Sequence, residues 1–216
     1  MKNKILPLIA LVSSLVFLTA CKQKSITTKS SNSQDKTAKN SNSKNKVSTS
    51  RADSSQSTSS LEEKEYQGAI KRIGSDDYGY VSIPEKWVTF KDLSGGDSIQ
   101  FANPDSPFDI ITLNAYTKEK AGVKAGQEFT AELVSNSLYA SFSENPLYKD
   151  ITPSMSKIEG EDAYQLLAET KGGLYILTWT FKLPSTDKVY YISIEGEKEN
   201  LASLYQLIEK TWSLRK

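Results

Sequence analysis

The chain has 216 residues, of which 27 are Lys or Arg and 26 are Asp or Glu, and it contains one cysteine and no histidine. The missing histidine excludes Ser-His-Asp and Cys-His hydrolase sites and histidine-ligated zinc sites. A single cysteine cannot form a disulfide within the chain, so a folded domain must be stabilised by packing.

The first 20 residues carry the pattern of a secretory signal peptide. Lys2 and Lys4 give a positive start, and residues 5–20 form an apolar run interrupted only by Pro7 and a few Ser or Thr residues. The run is shorter than the roughly 20 residues that a membrane-spanning helix needs. We therefore expect residues 1–20 to be a signal peptide that is removed on export.

The apolar run ends in Leu18-Thr19-Ala20-Cys21, which resembles the lipobox of bacterial lipoproteins. The resemblance implies that Cys21 carries a diacylglycerol, that the chain is cut before Cys21, and that in some members the new amino group is also acylated. Two or three acyl chains, such as palmitate, give stable attachment where one chain is marginal. The expected location is the outer face of a cell membrane. An uncleaved anchor, or an ordinary signal peptide with a chance cysteine, is the alternative.

Residues 21–60 contain the lipidated cysteine and a segment of low complexity. Almost all of them are Ser, Thr, Asn, Lys or Gln, and eight basic residues against two Asp give residues 22–60 a net charge of +6. Such a composition cannot bury enough apolar surface to fold, so we expect a disordered tether. It serves either as a plain spacer or as a spacer whose lysines also contact anionic lipid or wall polymers. The composition indicates a Gram-positive source.

Residues 61–216 are expected to form one globular head with an acidic surface. This segment has 17 basic and 24 acidic residues, a net charge of −7, which disfavours nucleic acid as a partner. Alternating apolar and polar residues between turn signals predict strands. In chain order the predicted strands are 69–73, 78–83, 87–90, 98–102, 108–116, 151–158, 162–170, 174–183 and 188–195. A hairpin turn is predicted at residues 94–97.

Two segments of the head have helical periodicity. Residues 125–142 place Ala131, Val134, Leu138 and Phe142 at spacings of three and four, and a second apolar stripe runs from Leu201 to Trp212. Short connections between strands force antiparallel pairing. The order of strands, helix, strands and helix predicts an α+β fold with a central antiparallel sheet flanked by helices.

Residues 78–87 read Tyr-Gly-Tyr-Val-Ser-Ile-Pro-Glu-Lys-Trp, which resembles the opening of PsbP-like domains. The order of the predicted elements over residues 66–214 is also similar to that family. The resemblance implies an α/β/α sandwich, a fold also found in a Ran-binding nuclear import factor. It carries over no functional residue. Trp87 in this motif is expected to fill the core, with ligand stacking as the alternative.

Two groups of residues are candidates for a site. Tyr175, Trp179 and Tyr190 belong to predicted strands on which aromatic and aliphatic residues alternate. They are either a core face beneath a helix or an aromatic patch that binds a partner. Five aspartates in or near turns are weak candidates for calcium, namely Asp76, Asp77, Asp97, Asp105 and Asp109. We expect no catalytic residue, no metal and no cofactor.

The sequence therefore favours a lipid-anchored, non-catalytic binding module for a protein or cell-wall partner. The first alternative is an extracellular hydrolase that uses carboxylates on wall or lipid substrates, because a carboxylate pair needs no histidine. A second alternative is that the released signal fragment acts as a pheromone peptide.

Overall fold

We describe the chain from a computed structural model, which covers residue 61, residues 64–91 and residues 96–216. The signal peptide, Cys21, the tether and part of the turn at residues 94–97 lie outside the described residues, so those expectations stay predictions. The described residues form nine strands and two helices: β1 (Ile70–Ser75), β2 (Gly79–Pro84), β3 (Val88–Phe90), β4 (Ile99–Ala102), β5 (Ile110–Tyr116), α1 (Ala131–Glu144), β6 (Tyr148–Ile158), β7 (Glu161–Thr170), β8 (Tyr175–Lys182), β9 (Val189–Gly196) and α2 (Lys198–Thr211).

Seven strands form one antiparallel sheet in the order β3-β4-β5-β9-β8-β7-β6. Short turns join β6, β7, β8 and β9, so each of them pairs with its neighbour in the chain. β9 returns to pair with β5, which places Thr112 opposite Ser193. The sheet thus consists of two meanders, and the chain crosses from one to the other through α1.

One face of this sheet is apolar and buried beneath α2. Its largest residues on the central strands are Ile111, Leu113, Leu177, Trp179, Phe181, Tyr190, Ile192 and Ile194. The buried stripe of α2, which includes Leu201, Tyr205 and Ile208, lies against them. Burial of each large side chain contributes about 1.5–3 kcal/mol.

The other helix, α1, lies on the opposite face of the sheet and packs chiefly on β6, β7 and β8. It begins after Thr130, whose side-chain oxygen accepts a hydrogen bond from the Leu133 backbone N–H at 3.1 Å and so caps the helix. Pro146 follows its end, where it cannot disturb the helical hydrogen bonds. Val134 anchors α1 by packing in a small cluster with Val189.

The strands β1 and β2 form a separate two-stranded sheet on the α2 side. Gly79 has φ +76, and a Cβ there would lie 2.4 Å from the indole of Trp212. The Tyr80 backbone exchanges hydrogen bonds of 2.7 and 2.9 Å with Ser213, and Trp212 Nε1 donates to the Tyr78 carbonyl at 3.3 Å. The aromatic-Gly-aromatic pattern at residues 78–80 therefore forms the surface on which Trp212 packs, and only a glycine at position 79 leaves room for the indole.

The predicted fold class is confirmed: the head is α+β, with an antiparallel sheet between helices. Each of the nine predicted strands is present, with its ends within three residues of the predicted ones. The first helix starts six residues later than predicted, because the preceding turns include left-handed glycines, Gly122 and Gly126. Trp87 is 3% exposed and belongs to the core, as expected.

Candidate functional site

The three aromatic residues of the predicted binding patch do not form a surface patch. Trp179 and Tyr190 are 0% and 2% exposed. The ring of Trp179 packs 5.9 Å from that of Tyr205 in α2, and the ring of Tyr190 packs 5.0 Å from that of Trp212. The alternation of apolar and polar residues along β8 and β9 correctly indicated that these side chains share a face. That face is covered by α2. Both residues are core.

Tyr175, the third member, is partly exposed at the rim of a depression of about 190 Å³. Lys198 Nζ lies 5.9 Å from the centre of its ring. The neighbouring carboxylate of Glu169 forms an ion pair with Lys149 at 2.6 Å. Two charged groups that line this depression, Glu169 and Lys198, thus already have interaction partners.

Each of the five aspartates that were weak candidates for calcium has a nearby partner. The partners are the Tyr80 hydroxyl for Asp76, Lys188 for Asp77, Lys120 for Asp97, Lys86 for Asp105, and the side chains of Asn103 and Asn200 for Asp109. The pKa of Asp97 is lowered first by its own backbone N–H and then by Lys120. In the part of the chain that the structure describes, no group of three His, Cys, Asp or Glu side chains could hold a metal ion.

The two faces of the central strands differ in polarity. On the α1 side, strands that are apolar on their other face carry polar residues, each at most 8% exposed. We call this set the polar face. It consists of Gln100 on β4, Thr112 and Asn114 on β5, Thr178 on β8, and Ser193 and Glu195 on β9.

Strand register places four residues of the polar face in one row across four adjacent strands. Gln100 is opposite Thr112, Thr112 is opposite Ser193, and Ser193 is opposite Thr178. The Gln100 side-chain amide donates to Thr112 Oγ1 at 3.2 Å. Thr178 Oγ1 is buried without a hydrogen-bond partner among the described residues. Buried polar atoms are normally paired, so this hydroxyl is an exception within the row.

One end of the polar face is closed by a lysine. Lys120 Nζ donates to Asn114 Oδ1 at 2.9 Å and to Asp97 at 3.2 Å, and it lies 5.7 Å from the centre of the Tyr116 ring. The ring of Tyr116 meets that of Tyr191 edge to face, with centres 6.1 Å apart. This contact brings a second tyrosine onto the polar face.

The other end of the polar face is formed by Glu195 on β9. Tyr191 lies four residues before it on the same face of β9, and Tyr148, at the start of β6, packs its ring 4.8 Å from Phe142 of α1. Tyr148 and Tyr191 are only partly exposed. Burial, and after it the Glu195 carboxylate, raises the pKa of Tyr148 to about 12.

The other tyrosines of this region are shifted in the same direction. Burial raises the pKa of Tyr116 to about 12. Burial also raises the pKa of Tyr191 well above its usual value, with smaller contributions from Tyr116 and Glu195. These hydroxyls therefore stay protonated at neutral pH, where they exchange hydrogen bonds and do not act as bases.

The sequence contains a pattern that indicates the polar face. The predicted strand 108–116 alternates between one side with Thr112 and Asn114 and another with Ile111 and Leu113. The strand 188–195 alternates in the same way, and Ser193 lies between two isoleucines. A polar side opposite an apolar side on neighbouring strands thus indicates the polar face, whereas the alternating aromatic residues indicate the core.

A cavity of about 750 Å³ lies at the β1–β2 turn. Its lining includes Asp76, Glu119, Asp187, Lys188 and Leu214. Two of these charged groups already have partners next to the cavity. Asp76 accepts a hydrogen bond from the Tyr80 hydroxyl at 2.8 Å, and Lys188 forms an ion pair with Asp77 at 2.8 Å. Asp76 and Lys188 are therefore already paired and are not available to a ligand in this cavity.

The helices in the described part of the chain are too short and too polar to cross a membrane.

No protein-family model and no curated protein matches this chain. Several solved structures are similar to it, among them three from a cyanobacterium, a yeast and a mycobacterium. Cyanobacterial PsbP (CyanoP) from Synechocystis sp. PCC 6803 is 10% identical with a TM-score of 0.46, over 68% of this chain and 93% of CyanoP. The Ran-binding protein Mog1p from Saccharomyces cerevisiae is 9% identical with a TM-score of 0.45, over 68% of this chain and 96% of Mog1p.

The third is LpqN, a protein involved in cell envelope biogenesis of Mycobacterium tuberculosis. It is 16% identical with a TM-score of 0.41, over 67% of this chain and 90% of LpqN. A PsbP protein is thus among the structures that this chain is similar to. At these identities and TM-scores the likenesses carry no argument about function.

Proposed function

We propose that the chain is a lipid-anchored, extracytoplasmic binding module that holds a cell-wall polymer on its polar face. The observation that carries the binding role is the polar row on the α1 side of the sheet. A sheet between two helical layers is normally apolar on both faces. Placing hydroxyl and amide groups there costs stability unless they are paired, so their presence favours a function.

The chemistry of the polar face suits a hydroxylated, carbohydrate-rich polymer. Thr112, Thr178 and Ser193 both donate and accept hydrogen bonds, and the Gln100 amide does the same with separate atoms. Partly exposed tyrosines beside them, such as Tyr191, add an apolar ring with a polar tip. An aromatic ring among neutral hydrogen-bonding groups is typical of surfaces that bind neutral polar chains.

The location rests on the sequence. The lipobox ending in Cys21 supports lipid attachment after export, and a wall polymer is the surface that a protein anchored outside a membrane meets. The acidic head, with a net charge of −7 over residues 61–216, disfavours an anionic polymer as the partner.

We also propose that the head binds and does not catalyse. The chain has no histidine. The tyrosines beside the polar face keep their protons at neutral pH, because the pKa of Tyr148 and that of Tyr116 are both about 12. A general acid or base should instead have a pKa near the working pH.

The experiment uses the mature lipoprotein, purified in detergent and mixed with purified cell-wall fragments. Co-sedimentation measures binding, and mass spectrometry follows any products. We expect saturable binding that Thr112→Val weakens about fivefold, because it removes one hydrogen-bonding group at nearly constant volume. The matched control is Thr152→Val, an exposed position on β6, which should bind as the wild type does.

Three outcomes would count against this proposal. Equal binding by wild type and Thr112→Val would remove the polar face from the interaction. Binding to an envelope protein with no binding to wall fragments would replace the polymer by a protein partner. Turnover beyond one product per molecule, abolished by one carboxylate substitution, would make the chain a hydrolase.

A further inference from the structure

The polar face is covered, although its side chains are those of a binding surface. All its residues are buried, so a polymer chain reaches their hydroxyl and amide groups only after a covering element moves. In the loop at residues 117–130, Lys120 Nζ donates to Asn114 Oδ1 at 2.9 Å. In α1, the Ala131 carbonyl accepts a hydrogen bond at 3.4 Å from Thr180 Oγ1, which is on the same side of β8 as Thr178. We call residues 117–144, the loop and α1 together, the covering segment.

The helix of the covering segment is held to the sheet by fewer and smaller side chains than the other helix. Both helices have 14 residues. The buried residues of α1 are Ala131, Val134 and Ser135, with Leu133 and Leu138 half-buried. The buried residues of α2 are Leu201, Ala202, Leu204, Tyr205 and Ile208. Because the free energy of apolar burial scales with area, α1 is bound less strongly than α2, and the elements with the least apolar burial open first.

The hydroxyl groups on the α1 side of β8 favour the release of α1. Thr178 Oγ1 is buried without a hydrogen-bond partner among the described residues, and the bond from Thr180 Oγ1 to the Ala131 carbonyl is long. When α1 lifts, water reaches both hydroxyls and pairs with them. Part of the free energy that opening costs is therefore recovered as hydrogen bonds to water.

The two ends of the covering segment differ in how far they can move. At the C-terminal end, only residues 145–147, which include Pro146, join α1 to β6. At the other end, the longer segment 117–130 joins β5 to α1. Within it Gly122 and Gly126 have φ +63 and +80, and a Cβ added at either glycine would meet no atom within 4 Å. The geometry allows the N-terminal end of α1 to swing outward while residues 145–147 act as the joint.

We propose that the covering segment is a lid, which swings away from the sheet about residues 145–147 and admits the wall polymer to the polar face. The inference rests on the proposed function, because it describes how that same site opens. The swing separates Val134 from Val189 and breaks the hydrogen bond of 3.0 Å from Lys182 Nζ to the Phe129 carbonyl. The core beneath α2 stays closed throughout, because α2 lies on the other face of the sheet.

Thiol labelling of the mature protein in detergent measures the opening, since Cys21 is the sole natural cysteine and the wild type gives its background. Thr180→Cys places a thiol beneath α1, and the matched control Leu177→Cys places one beneath α2 on the same strand, both at fully buried positions. Mass spectrometry follows the reaction with N-ethylmaleimide. We expect Thr180→Cys to react about tenfold faster or more, because its thiol needs only the lid to open. Leu177→Cys loses more core volume, which speeds global unfolding and works against this result.

Should Thr180→Cys fail to fold, hydrogen exchange of the wild type gives the same answer. Backbone amides of residues 134–142 in α1 should exchange about tenfold faster than those of residues 204–208 in α2. Equal labelling rates for the two cysteine variants, or equal exchange rates for the two helices, would overturn the lid. Wall binding that depends on Thr112 would in that case still support the proposed function. Fast labelling of Thr180→Cys by a protein that binds no wall fragment would support the opening motion and contradict the proposed function.

Discussion

At the scale of single residues, the burial of Trp87 shows that it contributes to the stability of the fold. Trp87, between β2 and β3, is 3% exposed, and its carbonyl accepts a hydrogen bond from the side chain of Lys71. Val88, the next residue, is 51% exposed. The core position of Trp87 was predicted from the motif at residues 78–87, in which it follows a proline that ends a strand.

Replacing Trp87 by Ala should lower the free energy of unfolding by about 3–5 kcal/mol, because it leaves a cavity in the core. Val88→Ala is the control, with an expected loss below about 0.5 kcal/mol at an exposed site. Denaturant unfolding followed by circular dichroism measures both. A loss of less than about 1 kcal/mol for Trp87→Ala would mean that the ring contributes little to the core.

The tyrosines beside the polar face predict a loss of stability at high pH. In the folded chain the pKa of Tyr116 and that of Tyr148 are about 12, against an ordinary value of 10.0. Between about pH 10 and 12 the unfolded chain therefore loses these protons while the folded chain keeps them. The stability that the two groups contribute is complete below about pH 10 and falls as the pH rises through about 12.

Denaturant unfolding at a series of alkaline pH values measures this effect. The double variant Tyr116→Phe, Tyr148→Phe lacks both titrating groups, so its stability should decline less steeply with pH than that of the wild type. Equal slopes for the two proteins would contradict the raised pKa values.

At the scale of elements, α2 is fixed to the sheet by a polar link as well as by its apolar stripe. Glu209 Oε1 accepts hydrogen bonds from Trp179 Nε1 at 3.0 Å and from Gln165 Nε2 at 2.9 Å. Both donors belong to residues that are at most 1% exposed. One carboxylate on the helix therefore satisfies groups on two strands, β7 and β8.

Glu209→Leu should destabilise the protein by about 2–4 kcal/mol, because it leaves two buried donors unpaired. Glu209→Gln keeps an acceptor oxygen and serves as the matched control, with a smaller expected loss. Thermal unfolding of the two variants separates the hydrogen bonds from the volume of the side chain. A Glu209→Leu protein within about 0.5 kcal/mol of the wild type would contradict the role of this link.

The elements themselves were largely predictable because hydrophobic periodicity is a local property. Period-two alternation predicted the strands, and spacings of three and four predicted both helices. The separate sheet of β1 and β2 was not predictable, because its position depends on Trp212, more than 130 residues further along the chain. The predicted start of α1 was six residues too early. Positive φ angles at Gly122 and Gly126 keep the preceding segment in turns.

At the scale of the whole molecule, the fold class followed from the order of elements, but the candidate site did not. Alternation shows that residues share a face, and only the packing of α2 and α1 shows which face each helix covers. The aromatic face of β8 and β9 is core for this reason. The polar face became visible when register aligned Gln100, Thr112, Ser193 and Thr178 across four strands.

The anchoring of the molecule makes a prediction about the whole chain. Cys21→Ala removes the residue that the lipobox assigns to lipid, so the protein should leave the membrane fraction or remain unprocessed. Fractionation with immunodetection, together with metabolic labelling by a radioactive fatty acid, measures both effects. A Cys21→Ala protein that still partitions into membranes at its mature size would contradict lipid anchoring through this cysteine.

The most direct test of the central claim is an NMR map of the mature protein, in detergent micelles, titrated with soluble cell-wall fragments. The account predicts that the side-chain amides of Gln100 and Asn114 shift, together with backbone amides of β5 and β9, while those of β1 and β2 stay in place. Shifts confined to residues 185–188 at the large cavity, or to the depression around Tyr175, would contradict the polar face as the binding surface. So would the absence of any shift at saturating fragment.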